Sequence, residues 1–326
     1  MTRLLGSFVV MIVLALTSSA DAQSLSKDVA SRIEAIPIQT LTLSDEQFLK
    51  GVPAGEPVTI AGTLRVAQGE GRLPLVVFVA GSGGFAPNTD VWGRAFERMG
   101  ISTFIMDSFA ARGIVSTVYD QSLFGRLNGI LDLYRSLSVL AAHPRVDPSR
   151  IAVMGFSRGG HVALYASMKR FQRMWNVGGI EPAAYIALYP SCFINYVSDS
   201  DVSDHPIRIF HGTSDDYVES GPCRSYVART QLQGKDIKIT EFTDTWHAFY
   251  FPNLPRVPVV VKNAQATHCV LKEVPIGTIV NVNTQQPFKS TDDCVQRSPH
   301  VAYSSSSTQA TEEAIKTLLA TTFKLN

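Results

Sequence analysis

The stretch Ile151–Gly160 reads IAVMGFSRGG and places a serine between glycines, directly after a run of strand-forming residues. The short apolar run predicts a strand buried on both faces, as in a parallel sheet. Gly155 and Gly159 would allow a tight turn from this strand into a helix, and Gly160 would let the helix pack closely on neighbouring strands. The stretch therefore predicts that Ser157 projects from a sharp turn with its hydroxyl exposed. The alternative is a serine that only caps a helix.

Strands and helices alternate along the rest of the chain. The segment Val58–Gln68 alternates between apolar and polar residues and predicts an edge or antiparallel strand. Continuous apolar runs predict further strands within residues 73–84, 100–109, 183–190, 206–212 and 236–242, and helical spacing predicts helices near 91–99, 122–142, 159–174, 223–232 and 311–319. This order predicts an α/β fold, with a mostly parallel, doubly wound sheet of about eight strands flanked by helices.

The predicted domain organisation is simple. No internal repeat and no linker divides the chain, so we expect one domain over residues 23–326. Residues 250–308, called the insertion below, are rich in Pro, Asn, Ser and Thr and predict an elaborated region within that domain.

Composition limits the functional classes. The chain has 326 residues, of which 45% are hydrophobic and 17% are charged, with a formal net charge of +1. This is ordinary globular composition with enough apolar residues for a sizeable core. Because the charge is near neutral and no basic run occurs, we expect no nucleic-acid partner.

The N-terminus has the pattern of a secretory signal peptide. Arg3 supplies a positive region, Leu4–Leu16 an apolar core, and Ala20-Asp21-Ala22 a small-x-small cleavage site. The apolar stretch is shorter than a membrane span requires, so we expect cleavage after Ala22 and no stable membrane insertion. The predicted location is the periplasm or the extracellular medium.

The four cysteines have a different meaning in an exported protein, because an oxidising compartment lets thiols pair. Three connectivities are open, and the simplest joins neighbours, Cys192 with Cys223 and Cys269 with Cys294. No CxxC motif and no His/Cys cluster with zinc-ligand spacing occurs, so we expect no metal. No dinucleotide or Walker motif is completed either, so we expect no organic cofactor.

A serine nucleophile needs a base, and the base needs a third group that fixes its tautomer. Asp215 and Asp216 follow the predicted strand at 206–212, and His247 follows the next strand. The order Ser157, Asp215, His247 matches a Ser-His-Asp triad in which each partner lies in a loop after a strand. Asp216 remains the alternative acid. The other histidines lack this combination of order and location.

Acyl transfer also needs donors for the oxyanion. The first expected donor is the amide of Arg158, and the second lies in the turn Ala80–Gly84, with Ser82 preferred over Gly83. Arg112 and Trp246 are candidate substrate contacts, against the alternatives of a structural ion pair and a core aromatic.

Several motifs together resemble the α/β-hydrolase superfamily and, more narrowly, exported members of the dienelactone hydrolase family. They are VVFVAGSGG, DSFAARG, VMGFSRGG, YPSC, HGTSDDYVESGPC and WHAFY, which fall between residues 73 and 250. The resemblance implies the triad Ser157, Asp215 and His247, and a Cys192–Cys223 disulfide. The family's namesakes carry a cysteine nucleophile where this chain has Ser157, so the resemblance implies a serine esterase rather than an enzyme for dienelactone itself.

The sequence therefore predicts an exported serine hydrolase that cleaves a small carboxylic ester or lactone through an acyl-enzyme. Two alternatives remain. One is a peptidase of the prolyl-oligopeptidase type, which shares the domain and the triad. The other is a non-catalytic binding protein, because a fold does not fix a function.

Overall fold

The computed structural model describes residues 26–27, 29–84, 88–274 and 276–325. The predicted signal peptide lies outside these residues. An eight-stranded sheet forms the centre of the molecule. Its strands are β1 (Arg32–Thr42), β2 (Glu56–Val66), β3 (Leu73–Val79), β4 (Ser102–Asp107), β5 (Val146–Phe156), β6 (Ala184–Leu188), β8 (Ile207–Gly212) and β9 (Ile237–Phe242), with the short β7 (Ile194–Asn195) outside this sheet.

The spatial order of the sheet is β1-β2-β4-β3-β5-β6-β8-β9. The pairs β1·β2 and β2·β4 are antiparallel, and every other neighbouring pair in this sheet is parallel. The predicted α/β class and the strand number are confirmed. The strand predicted at Val58–Gln68 is antiparallel, as expected, but it does not lie at the edge, because β1 pairs with β2 along its whole length.

The helices are α1 (Asp45–Lys50), α2 (Asn88–Glu97), α3 (Asn128–Ala141), α4 (Arg158–Tyr165), α5 (Lys169–Trp175), α6 (Gly221–Gln231) and α7 (Ser305–Phe323), with 3₁₀ turns at 110–112 and 121–123. Three predicted helices differ from the structure, and the one predicted at 311–319 is longer at both ends, as α7. The helix predicted at 159–174 is divided into α4 and α5 around Ser167, whose hydroxyl bonds back to the Leu164 carbonyl. The helix predicted at 122–142 begins only at Asn128, after a turn and a loop.

Hydrophobic residues cover both faces of the sheet because successive side chains of a strand point to opposite sides. In β3, Leu75 and Val77 pack with α3 to α6 on one face, whereas Val76 and Phe78 pack with α2 and α7 on the other. The carboxyl ends of the central parallel strands therefore meet at one edge between two helical layers, which is where ligand sites form in such sheets.

The insertion contains the short strands β10 (Val259–Val260), β11 (Gln265–Thr267), β12 (Leu271–Glu273), β13 (Ile279–Asn281), β14 (Val295–Arg297) and β15 (His300–Val301). Its last residues already belong to α7. Strand β12 pairs with β7, and the buried Glu273 forms a bidentate ion pair with Arg170 of α5 at 2.7 and 2.9 Å. The insertion is thus attached to the main body both by a sheet and by a buried charge pair.

The structure contains both disulfides of the simplest pairing, Cys192–Cys223 and Cys269–Cys294. The first joins the loop after β6 to α6, and the second closes a loop inside the insertion. Within the described part of the chain, no helix has the length and apolarity needed to cross a membrane.

Candidate active site

Ser157 occupies a strained turn between β5 and α4. Its backbone has φ 53° and ψ −114°, a region that non-glycine residues rarely adopt. The neighbouring glycines are required by close backbone approach: a Cβ on Gly155 would lie 1.9 Å from the Gly159 carbonyl oxygen, and one on Gly159 would lie 2.1 Å from that of Val79. The backbone at Ser157 therefore makes the sharp turn from strand to helix that the sequence predicts.

Three predicted side chains meet at this turn. His247 Nε2 lies 3.0 Å from Ser157 Oγ, and His247 Nδ1 lies 2.7 Å from Asp215 Oδ2. Asp215 and His247 are both buried. A buried carboxylate next to Nδ1 favours the tautomer that carries its proton there, which leaves Nε2 free to accept the serine proton.

Asp215 is held by its own loop. Its Oδ1 accepts hydrogen bonds from the backbone amides of Tyr217 and Val218 at 3.0 and 2.8 Å. The alternative acid, Asp216, points elsewhere: its carboxylate accepts from the His300 amide at 2.8 Å and lies 2.7 Å from His300 Nδ1. The adjacent carboxylates thus have separate partners, one in the candidate triad and one in the insertion.

Two further buried histidines lie near the site without contacting Ser157 Oγ. His161 is enclosed by Ser191 and by the Tyr196 hydroxyl, 3.2 Å from its Nε2, and burial lowers its pKa to about 3. His211 Nδ1 lies 3.8 Å from Asp215 Oδ2. Burial lowers the pKa of His211, so both rings are neutral at ordinary pH.

The residues expected to supply the oxyanion donors lie next to the serine. Arg158 is the first residue of α4, a position whose amide has no acceptor within the helix. Ser82 lies in the turn closed by a bond from the Gly84 amide to the Gly81 carbonyl, and a Cβ on Gly81 would lie 3.5 Å from Ser157 Cβ. This turn is therefore packed directly against the candidate nucleophile.

A cavity of about 300 Å³ opens at Ser157 and His247. Its polar side is the Gly81–Gly84 turn. Its apolar walls come from the main body and from the insertion, and they include Val118, Phe156, Tyr189, Phe251, Leu254, Val261 and Val301. A larger cavity, of about 580 Å³, lies behind the turn and touches neither Ser157 nor His247. Contact with Ser157 and His247 makes the smaller cavity the candidate substrate pocket.

Two predicted substrate contacts lie outside this cavity. Arg112 forms a buried bidentate ion pair with Asp132, at 2.8 and 2.9 Å, and also donates to Thr42 Oγ1. Its guanidinium is therefore structural, which was the alternative reading of the sequence. Trp246 packs against the His300 ring, with centroids 5.2 Å apart, and does not line the cavity.

The sequence analysis missed several residues of the site. Tyr217 lines the cavity, packs on the His247 ring at 4.7 Å, and has a buried hydroxyl without a partner among the described residues. Burial raises the pKa of Tyr217 to about 12. Arg126 lines the neighbouring clefts. Gly125, within the helical pattern, was the available signal that Arg126 lies in a loop.

Comparison with known proteins places the chain in a family. Esterase FrsA of Shigella boydii serotype 18 is 27% identical over 178 residues, which are 48% of this chain and 39% of that protein. The chain thus spans well under half the length of that relative. The phosphotriesterase P91, a dienelactone hydrolase-like protein from metagenomic libraries, is 14% identical with a TM-score of 0.56, over 88% of this chain and 98% of its own.

The solved structure m3DLH is 16% identical with a TM-score of 0.58, over 89% of this chain and 98% of its own. At such identities the two structural likenesses concern the fold alone. The family model described as "Dienelactone hydrolase family" matches residues 107–274, a range that contains Ser157, Asp215 and His247. Since this range is just over half of the sequence, the chain belongs to the dienelactone hydrolase family.

Proposed function

We propose that the protein is an exported serine hydrolase that cleaves a small carboxylic ester or lactone through an acyl-enzyme. The observation that carries the proposal is the unbroken line of contacts from Ser157 Oγ to His247 Nε2 and from His247 Nδ1 to Asp215 Oδ2. A nucleophile, a base and an orienting acid at these distances are what acyl transfer to serine requires. Membership of the dienelactone hydrolase family and the likeness to a curated esterase support the same reaction class.

In the proposed mechanism, His247 Nε2 takes the hydroxyl proton as Ser157 Oγ bonds to the substrate carbonyl carbon. Collapse of the tetrahedral intermediate breaks the bond to the alcohol oxygen, and His247 gives that oxygen its proton. Water then attacks the acyl-enzyme, with His247 taking its proton and returning it to Ser157 Oγ. Asp215 keeps its negative charge throughout and stabilises the imidazolium.

The amides of Arg158 and Ser82 are the proposed donors to the oxyanion. Fixed backbone N–H groups serve well here because they need no reorganisation as charge develops on the carbonyl oxygen. The Ser82 carbonyl accepts from the Thr117 amide at 2.7 Å, and the Ser82 hydroxyl donates to Gln121 Oε1 at 3.1 Å. These bonds support the orientation of the turn.

The size and chemistry of the cavity support a small substrate with an apolar portion. A space of about 300 Å³ is at the lower end of small-molecule sites. The apolar wall formed by Phe251, Leu254 and Val261 favours a short aliphatic or aromatic group over a polar one.

Export is supported by the disulfides and by the N-terminal sequence. The described residues contain no free cysteine, because all four cysteines form two disulfides. Disulfides form and persist in oxidising compartments. The pattern over residues 1–22 supports cleavage after Ala22, with the mature protein in the periplasm or the medium.

The test is to expose the mature protein to a fluorophosphonate, map the adduct by mass spectrometry, and measure hydrolysis of p-nitrophenyl esters from acetate to octanoate. We expect a single adduct on Ser157 and turnover of the short esters. Ser157→Ala should lose the adduct and on the order of 10⁴- to 10⁶-fold in kcat while keeping its circular dichroism spectrum.

Retained hydrolysis by folded Ser157→Ala would overturn the assignment of the nucleophile. Absence of both adduct and turnover in the wild type would favour a binding protein. Faster cleavage of peptide substrates than of esters, run in parallel, would favour a peptidase.

A further inference from the structure

Tyr217 has a hydroxyl group that the folded protein leaves without a partner. The hydroxyl oxygen is buried and forms no hydrogen bond with any described residue. An unpaired polar group in a protein interior costs free energy, and such groups are few in native structures, so this one calls for an explanation. Tyr217 follows the candidate acid Asp215 by two residues, which places the unpaired donor beside the triad.

Other buried tyrosine hydroxyls of the protein are paired. They belong to Tyr134, Tyr165, Tyr185, Tyr196, Tyr226 and Tyr250. Among the described residues, only Tyr189 shares the lack of a partner with Tyr217. The Tyr189 ring is wholly buried in a hydrophobic cluster and packs on Phe249. Tyr217 is outside that cluster and partly exposed, so its unpaired hydroxyl needs a separate explanation.

Tyr217 lines two spaces that meet at Ser157. One is the candidate substrate cavity of about 300 Å³, and the other is a cleft of about 30 Å³. Ser82, Ser157 and Tyr217 are the described residues that line both spaces. A substrate whose carbonyl carbon contacts Ser157 Oγ therefore lies next to Tyr217 as well.

The Tyr217 ring is held against the candidate base. Its centroid lies 4.7 Å from the centroid of the His247 ring. The Tyr217 amide donates to Asp215 Oδ1 at 3.0 Å, which fixes the loop relative to the triad. Because His247 Nε2 faces the alcohol oxygen that it protonates, a side chain packed on this ring lies beside the leaving group.

The other donors on the cavity wall have different tasks. The described side chains there with a hydroxyl or a ring N–H are Ser82, Ser157, Tyr189, Tyr217 and His247. The Ser82 hydroxyl donates to Gln121 Oε1 at 3.1 Å, and Ser157 and His247 are the proposed nucleophile and base. Burial raises the pKa of Tyr217 to about 12, so its hydroxyl keeps its proton at neutral pH and can donate it to a hydrogen bond.

We propose that Tyr217 is a further catalytic residue, whose hydroxyl donates a hydrogen bond to the alcohol oxygen of the ester as that oxygen leaves. This inference rests on the proposed function. As the bond between the acyl carbon and the alcohol oxygen breaks, His247 transfers its proton to that oxygen, and Tyr217 keeps its own. The hydrogen bond stabilises the negative charge that develops on the oxygen. Esters of alkyl alcohols benefit most, because these alcohols are weak acids and leave poorly.

The test uses butyrate esters that differ only in the alcohol. In order of increasing alcohol pKa they are p-nitrophenyl, phenyl, trifluoroethyl and ethyl butyrate. Tyr217→Phe should lower kcat/KM for ethyl butyrate by about tenfold to hundredfold, since a hydrogen bond to a charged oxygen is lost. The loss for p-nitrophenyl butyrate should be less than about threefold, because this leaving group spreads its charge into the ring. The loss should grow along the series.

Two controls separate the hydroxyl from packing and folding. Tyr217→Phe keeps the ring on His247 and should have an unchanged or higher melting temperature, because it removes an unpaired buried group. Fluorophosphonate should label Ser157 in this variant at the wild-type rate, since fluoride leaves readily without a donor. Tyr134→Phe is the matched variant away from the cavity. It should lower the melting temperature, through the lost bond to the Ala166 carbonyl, and leave the relative kcat/KM values of the four esters unchanged.

The outcomes are distinct. An equal loss on all four esters in Tyr217→Phe would assign the hydroxyl to the oxyanion and overturn the proposal. An unchanged series would overturn it and leave the proposed function standing. A wild type that cleaves the aryl esters but neither alkyl ester would overturn it as well. Absence of both adduct and turnover in the wild type would instead contradict the proposed function.

Discussion

The adjacent carboxylates of Asp215 and Asp216 have different partners and different burial. Asp215 is buried against His247, whereas Asp216 is partly exposed and contacts His300 of the insertion. The two neighbouring side chains thus have different partners, one in the candidate triad and one in the insertion.

This separation predicts different kinetic effects for two chemically identical substitutions. Asp215→Asn should lower kcat on the order of 10⁴-fold, because an amide at this place favours the wrong imidazole tautomer. Asp216→Asn should lower it by less than about tenfold, since the pair with His300 is partly exposed and such pairs contribute little. Steady-state rates on p-nitrophenyl butyrate measure both.

Thermal unfolding of both variants provides the control for folding. If Asp216→Asn were the more damaging change at equal stability, the assignment of the acid would have to be exchanged.

At the residue scale, the sequence predicted what depends on local pattern and chain order. Ser157, Asp215 and His247 follow strands at the expected places and lie within hydrogen-bonding distance of one another. Arg112 and Trp246 do not line the cavity, because their side chains contact Asp132 and His300 on other elements, and a local pattern does not show such contacts. Arg126 was missed because apolar residues recur at helical spacing from residue 122 onward. The loop before Asn128 was therefore predicted as part of the helix.

At the scale of elements, the turn around Ser157 is fixed by backbone-to-backbone packing. Gly159 of α4 lies so close to β3 that an added methyl group would approach the carbonyl oxygens of Val79 and Ala80 to 2.1 and 2.6 Å. Gly93 of α2 is different, because the nearest atoms to an added Cβ, on Arg65 and Thr103, are 3.7 and 3.9 Å away.

Gly159→Ala should therefore destabilise the protein by about 1–3 kcal/mol or more, since a backbone clash forces α4 away from β3. Gly93→Ala should be neutral or stabilise by up to about 1 kcal/mol, because alanine favours a helix. Unfolding in urea, fitted with a common m-value, measures the free energy of unfolding of each variant relative to the wild type. An unaltered stability in Gly159→Ala would mean that the turn is looser than the structure indicates.

Most elements were predicted from hydrophobic periodicity, and the exceptions have physical causes. Strand β1 was missed although Ile36 and Ile38 lie in it, because Pro37 argues against a strand. Proline is tolerated there because β1 is an edge strand. The break between α4 and α5 depends on tertiary contacts, such as the bond from the Ser203 amide to the Ser167 carbonyl, which no local pattern specifies.

At the scale of the whole molecule, the disulfides connect different structures. Cys192–Cys223 joins two segments that flank the central sheet, whereas Cys269–Cys294 closes a loop within the insertion. Their loss should therefore affect stability and activity in different proportions.

Cys192→Ser/Cys223→Ser should lower the free energy of unfolding by about 2–5 kcal/mol, because the bond restricts the unfolded chain. Cys269→Ser/Cys294→Ser should instead change mainly KM, since the insertion supplies Phe251, Leu254 and Val261 to the cavity. Calorimetric melting and ester kinetics distinguish the two. An unchanged melting temperature of the wild type in reductant would show that neither bond supports the fold.

The two ends of the insertion lie side by side. The Ser304 amide donates to the Phe249 carbonyl at 3.0 Å, and the Ala302 amide donates to that of His247 at 3.3 Å. A segment whose ends already touch can be exchanged for one of another length without moving the elements on either side. The substrate range of this architecture can thus change by replacement of the segment between Phe251 and Val301, provided that partners for Asp216, for Arg170 and for strand β7 are retained.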